Sequence, residues 1–441
     1  MRLLVLLTNF SFLDFVNITL CLYIQLFFNW FEISLNYSAR LILNCMSDLF
    51  SSLPRIYKKS VDRIKSYPSE SEKEKYVEKC EKFVNLLRNC ERVIWVGTGR
   101  QEEVANFATR LVKASDKQTF CSSDSSIPYE YKPDDLVVAL SSSGETERTI
   151  HYAESAYNPI SESTPVVSIT TNPDSTLAGI AKKTKGLVVE IPGKSKADRA
   201  DYQERQFLGQ HEPLTLGGTL GELYTLEFIL DAIGSAISTE PVMEYHNKFW
   251  NKVKSYDPDP SQFRRLHEML PEPINYSNPR DERAFPNKTI VGGLELSGVI
   301  ARAFSIRLAH CAGEDEERFV YFYKDAGNIA ARKNDLVLIF SGSGQEFWTR
   351  VLEPVKSVEA KIFAVTSFGN SPLGKMADAI IEVPGRKEFR DRSKLENPPK
   401  DPGGALYEIR SILATEIFIH CLVKEEKISI KAVESKHSQL T

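Results

Sequence analysis

Lys132-Pro133-Asp134-Asp135-Leu136-Val137-Val138-Ala139-Leu140-Ser141-Ser142-Ser143-Gly144-Glu145-Thr146 joins a polar turn, a five-residue apolar run and a serine/glycine loop. Arg332-Lys333-Asn334-Asp335-Leu336-Val337-Leu338-Ile339-Phe340-Ser341-Gly342-Ser343-Gly344-Gln345-Glu346 repeats that order. A short continuous apolar run bounded by turn residues reads as a strand buried on both faces. A Ser/Gly loop leading from such a strand into a helix aims backbone N–H groups and hydroxyls at one anion, usually a phosphate. The copies differ at their last polar position, Thr146 in one and Glu346 in the other.

Working outward, strands are expected at 93–96, 166–169 and 187–191, with helices over about 102–114, up to 157, from 176, and over 219–237. Asp174 or Ser175 is placed to cap the helix from 176. A helical stretch over 53–89 precedes the first strand. The second half repeats the order, with strands at 289–291, 336–340, 362–365 and 380–383 and helices over 297–310 and 405–423. Strands alternating with helices mean βαβ units and a parallel sheet covered on both faces. The expected class is α/β, with two three-layer αβα sandwiches, one in 46–240 and one in 241–441. The spacing between corresponding positions drifts along the chain, as expected of two diverged copies.

The chain has 441 residues, enough for two domains. A net charge of −4 gives no field that attracts nucleic acid or an anionic membrane. The seven cysteines include no CxxC pair and the seven histidines no HExxH or HxH pair, so neither a disulfide framework nor a metal site is expected. Residues 1–45 are the exception in composition, with only Arg2, Asp14, Glu32 and Arg40 charged. They read either as an upstream stretch absent from the working protein, which then starts at Met46 and is cytoplasmic, or as a membrane anchor through 15–31.

Gly97-Thr98-Gly99-Arg100 before a helix, Ser141 to Thr146, Thr170 to Ala178, and Gly218-Thr219-Leu220-Gly221-Glu222 resemble the sugar isomerase (SIS) domain. Among SIS proteins they look most like the 6-phospho-3-hexuloisomerases. The resemblance covers 50–237 well and 245–425 more loosely. It implies a five-stranded parallel sheet with a sugar phosphate at its C-terminal edge, no cofactor, and sites built between domains of an oligomer, here a homodimer of the tandem chain. The implied reaction moves a carbonyl along a ketohexose phosphate through an enediol(ate). Tandem SIS domains also occur in regulatory proteins, so a non-catalytic phosphosugar sensor is the alternative.

The candidate ligands of the phosphate are Ser141, Ser142, Ser143 and Thr146, four hydroxyls where capping a helix needs one. Glu346 would oppose a phosphate dianion, which reads the second loop as weakened. Gly99 and Arg100 at the first turn and Thr170 after the third strand complete the binding set, Arg100 reading either as a substrate contact or as a surface residue. The resemblance makes Glu222 the base that moves the carbon-bound proton, and the Gly217-Gly218 approach permits close substrate contact. Glu408 stands at the matching place in the second half, and His310 matches the family's active-site histidine. Aligning Arg110 with Arg307 sets Lys113 opposite His310. These differences predict one competent site, with Glu222 and the Ser141 loop from one half and His310 from the other.

Overall fold

A computed structural model describes residues 49–113, 117–128, 130–157, 163–192, 219–276, 286–325, 327, 330–386, 405–429, 432–433 and 436. The chain divides into two units, Met1–Ser52 and Leu53–Thr441. In the first, the 15–31 segment and Met46 lie outside the described residues; Ser52 Oγ donates to the Leu49 carbonyl (2.7 Å).

The second unit holds both sheets. It opens with helices α1 (Leu53–Lys65) and α2 (Lys73–Asn89). The single helical stretch expected over 53–89 is broken here, because Pro68 disfavours helical backbone at Tyr67. β1 (Arg92–Gly97), α3 (Arg100–Lys113), β2 (Gln118–Cys121), β3 (Leu136–Leu140), α4 (Glu147–Glu154), β4 (Val166–Thr170), α5 (Thr176–Lys183) and β5 (Leu187–Glu190) follow. The sheet is wholly parallel in the order β2-β1-β3-β4-β5. A long helix, α6 (Thr219–Ser238), closes this half.

Helices α7 (Val242–Lys254) and α8 (Pro260–Met269) lead to the second half. A two-residue antiparallel pair, β6 (Ile274–Asn275) with β8 (Glu316–Glu317), lies outside the main sheet. That sheet uses β7 (Thr289–Gly293), β9 (Val320–Phe322), β10 (Leu336–Phe340), β11 (Lys361–Thr366) and β12 (Ala379–Glu382). It is interleaved with α9 (Glu295–Ala309), α10 (Phe347–Ser357) and α11 (Pro372–Met376), and α12 (Leu406–Glu425) ends the half. Its order, β9-β7-β10-β11-β12, is the topology of the first sheet, again wholly parallel.

Both central strands, β3 and β10, are buried along their whole length. Each starts from a buried aspartate that holds its own turn. Asp135 accepts from the Lys132 N–H (2.7 Å) and pairs with Arg92; Asp335 accepts from the Arg332 N–H (2.8 Å) and pairs with Lys288. That is why the polar turn repeats along with the apolar run. Ser175 caps α5 by accepting from the Ala178 N–H (3.3 Å), as Ser371 caps α11 through Gly374 (3.1 Å).

Helices α6 and α12 are buried nearly all round, which is why neither carries an amphipathic pattern. The halves trade their leading helices: α7 packs mainly on α6, and α1 on α12 and α7. Helix α3 of the first half packs on α9 of the second.

Candidate functional site

The Gly97-Thr98-Gly99 turn starts α3 with Gly99 at φ +61°, a conformation that glycine adopts without strain. In the second half Glu295 takes the same conformation (φ 49°), which sets Gly293 opposite Gly97 and Leu296 opposite Arg100. Arg100 therefore has no counterpart in that turn. The same register carries His310 onto residue 114 rather than Lys113, so the expected pairing of Lys113 with His310 is one residue out. Residue 114 and the Lys113 side chain lie outside the described residues.

Arg100 is not a surface residue. Its guanidinium is buried and contacts Glu222 of α6 (2.7 Å) and Glu416 of α12 (2.6 Å). Glu416 also pairs with Arg307 of α9 (3.2 Å), giving a chain of alternating charges across the two halves. Burial pulls the Arg100 guanidinium down, and Glu222 and Glu416 outweigh it, so it stays charged. Burial pushes the Glu222 carboxyl up to about 7, with Arg100 the chief influence holding it back. Glu103, one turn further along α3, is also raised to about 7 by burial, against the pull of Arg302 (3.3 Å). Three buried carboxyls, Glu222, Glu103 and Glu416, thus line one narrow cavity of about 30 Å³ between α3, α6, α9 and α12.

The serine loop meets this cluster through α6. Gly144 (φ +67°) turns the loop, and its N–H donates to Ser141 Oγ (3.1 Å). Ser141 Oγ lies 2.9 Å from Thr146 Oγ1 and 3.4 Å from Ser143 Oγ, so three of the four expected hydroxyls converge at the start of α4. Thr146 is the N-cap of α4, yet its side chain makes no capping bond. Glu145 points its carboxylate away, accepting from the Thr176 N–H and hydroxyl (both 2.8 Å). Ser142 faces the other way, its Oγ accepting from Gln101 Nε2 (3.1 Å) beside Gly221. A Cβ on Gly221 would lie 2.6 Å from Ser142 Oγ, so this glycine lets α6 bring Glu222 up to the loop. Gly217 and Gly218, expected to serve that approach, lie outside the described residues. Thr170 is spent on the scaffold: its hydroxyl donates to the Ser142 carbonyl (3.2 Å) and accepts from the Asn172 N–H (3.1 Å).

The second loop repeats the backbone, with Gly344 at φ +58° and its N–H on Ser341 Oγ (3.2 Å), but not the surroundings. Tyr407 stands where Gly221 does, its hydroxyl bonded to the Val365 carbonyl (2.7 Å). A Cβ on Gly342 would lie 2.8 Å from the Tyr407 ring and 2.9 Å from Arg386 Nε. Arg386 pairs with the buried Glu408 carboxylate, which Ser297 Oγ also approaches (3.4 Å). The sequence comparison missed Arg386 because it arrives from the segment after β12, not from the first turn. Glu346 is exposed at the start of α10.

His310 is buried at the C-terminal end of α9, its N–H bonded to the Arg307 carbonyl (3.2 Å). Glu103 pairs with Arg302, while Glu416 joins Arg100 to Arg307, so α3 and α9 run antiparallel and the His310 end of α9 lies toward the start of α3.

Comparison with known proteins bears on the family and the fold. The SIS domain family model matches residues 86–190. An uncharacterized protein of Aeropyrum pernix is 33% identical over 167 residues, 35% of this chain and 74% of its own. The 3-hexulose-6-phosphate isomerase of Methylomonas aminofaciens is 25% identical over 154 residues, 35% of this chain and 80% of that enzyme. Among solved structures, the tagatose-6-phosphate ketose/aldose isomerase of Escherichia coli covers 86% of this chain and 92% of its own at a TM-score of 0.50 and 14% identity, a likeness of fold.

Proposed function

The chain belongs to the SIS domain family, and we propose that it is a phosphosugar isomerase of the 6-phospho-3-hexuloisomerase kind, working from one site at the join of its two halves. The observation that carries this reading is the buried, arginine-held carboxyl of Glu222 on the helix whose Gly221 meets Ser142 of the first serine loop. The names of relatives such as the Methylomonas aminofaciens enzyme support the substrate class. Phosphate oxygens would accept from Ser141, Ser143, Thr146 and the first-turn N–H groups of α4.

In the reaction proposed, the Glu222 carboxylate removes the proton from C2 of a 3-ketohexose phosphate while the C3 carbonyl takes up the electrons. A proton passes from O2 to O3 of the enediolate, and Glu222 returns the carbon-bound proton to C3, leaving the 2-ketose. A carboxyl near pH 7 suits a base that must also give its proton back. Arg100 holds Glu222 in position, and His310 is assigned the proton shuttle between the two oxygens. The second half supplies His310 and Glu416; its own loop, filled by Tyr407, is read as a scaffold. A homodimer of the chain remains part of the proposal.

One observation favours a non-catalytic phosphosugar sensor. A Glu222 oxygen is engaged by Arg100, and the cavity beside it has room for about one water. Conversion of 3-hexulose 6-phosphate to fructose 6-phosphate in a coupled assay, with phosphosugar binding measured in parallel, separates the two. Turnover lost in Glu222→Gln supports the enzyme; binding without turnover supports the sensor.

A further inference from the structure

A second buried polar cluster lies away from this site, where α7 of the second half packs on α6 of the first. Glu227 and Asp231, one turn apart on α6, and His246 of α7 bring carboxylate oxygens and imidazole Nδ1 within 4.8 Å of one another. All three are at most 1% exposed. His246 Nε2 lies 3.1 Å from the Lys65 carbonyl, which can only accept, so Nε2 carries a hydrogen and Nδ1 is the ring nitrogen that faces the carboxylates. Nδ1 is 2.7 Å from Asp231 Oδ2 and 3.6 Å from Glu227 Oε1. Tyr76 donates to Asp231 Oδ2 (2.8 Å). Among the described residues, neither oxygen of Glu227 has a hydrogen-bond partner, nor does Asp231 Oδ1, although the Trp250 indole also faces Asp231. An uncompensated buried carboxylate costs several kcal/mol.

The fold does not require this cluster. The register that pairs Glu222 with Glu408 puts Leu413 and Ile417 in the places of Glu227 and Asp231. The register that pairs α1 with α7 end to end puts Tyr57 in the place of His246. Those three are fully buried too, so the same helix junction is built once from apolar and aromatic groups and once from metal-ligand chemistry.

We propose that Glu227, Asp231 and His246 bind one divalent transition-metal ion of the zinc type, which fastens the exchanged helix α7 to α6. Both Glu227 oxygens, an Asp231 oxygen and Nδ1 give four donors, matching the N/O set zinc takes. Metal bonds near 2.1 Å place neighbouring donors about 3–3.5 Å apart, so Asp231 turns its unpartnered Oδ1 to the ion or the pair widens by a few tenths of an ångström. The Nε2–H bond to Lys65 is the outer contact that orients a ligating histidine. The site stands apart from Glu222 and does not depend on the isomerase reading.

The test is elemental analysis of the purified full chain, with thermal unfolding measured after chelation and after adding back Zn²⁺ alone. About one zinc per chain, a Tm lowered by chelator and restored by Zn²⁺, and loss of both effects in Glu227→Gln are expected. The triple variant Glu227→Leu/Asp231→Ile/His246→Tyr, copying the other half, should stay folded with a Tm that ignores metal. Substoichiometric metal with a Tm unmoved by chelator and by Zn²⁺, or undiminished zinc in either variant, overturns the proposal and leaves protons as the charges' only compensation.

Discussion

Glu222 carries a carboxyl raised from an ordinary 4.5 to about 7 by burial, with Arg100 opposing. A raised carboxyl binds its proton more tightly in the folded state, so its contribution to stability is full below about 4.5 and is lost as pH rises through about 7. The gap corresponds to roughly 3 kcal/mol. Wild type should therefore lose about that much stability between pH 4.5 and pH 8 relative to Glu222→Gln, measured by urea unfolding at each pH. Turnover should move oppositely, kcat/KM climbing through about pH 7 as the base ionises. A flat profile there removes Glu222 from the role. At the other end of the substrate, Thr146→Val deletes a converging hydroxyl. It should raise KM for the sugar phosphate about tenfold, whereas Ser341→Ala in the second loop should leave KM unchanged.

At the scale of elements, the serine loop depends on glycines for two different reasons. Gly144 holds φ +67° and a Cβ there would lie 2.1 Å from Ser175 Oγ, so Gly144→Ala should cost about 1–3 kcal/mol in denaturant unfolding. Gly221→Ala meets only the tip of Ser142, which can rotate, so stability should change little while KM rises. The central strands were legible because they are uninterrupted apolar runs. So were the edge strands β5 and β12, whereas the opposite edges were not: Gln118–Cys121 and Val320–Phe322 are short, part-exposed and set by pairing with β1 and β7. The helix-start register was legible only in outline, since positive φ at Gly99 and Glu295 fixes it and no sequence pattern shows that. Of the site, Arg100, Glu222 and the hydroxyls could be found from local motifs. Glu103, Glu416 and Arg386 could not, because each gains meaning only from a partner on another element. The same holds for Glu227, Asp231 and His246, whose spacing matches no metal motif.

For the unit Leu53–Thr441 as a whole, exchanged helices and the Arg100–Glu416–Arg307 chain tie the halves together. No described helix is long and apolar enough to cross a membrane. We propose that the halves, divided in sequence near residue 240, unfold together. Calorimetry should give one transition with equal van't Hoff and calorimetric enthalpies. Glu416→Gln leaves two buried arginines short of a carboxylate and should cost about 3 kcal/mol. It should also lower activity, because Arg100 loses the group that fixes it against Glu222.

The most direct measurement is the rate at which the full chain converts 3-hexulose 6-phosphate to fructose 6-phosphate, compared with Glu222→Gln and Glu408→Gln. Turnover by wild type, a fall of at least about a hundredfold in Glu222→Gln and near-normal turnover in Glu408→Gln are expected. Turnover that survives Glu222→Gln and disappears in Glu408→Gln, or tight phosphosugar binding with no turnover by wild type, contradicts a single catalytic site built on Glu222.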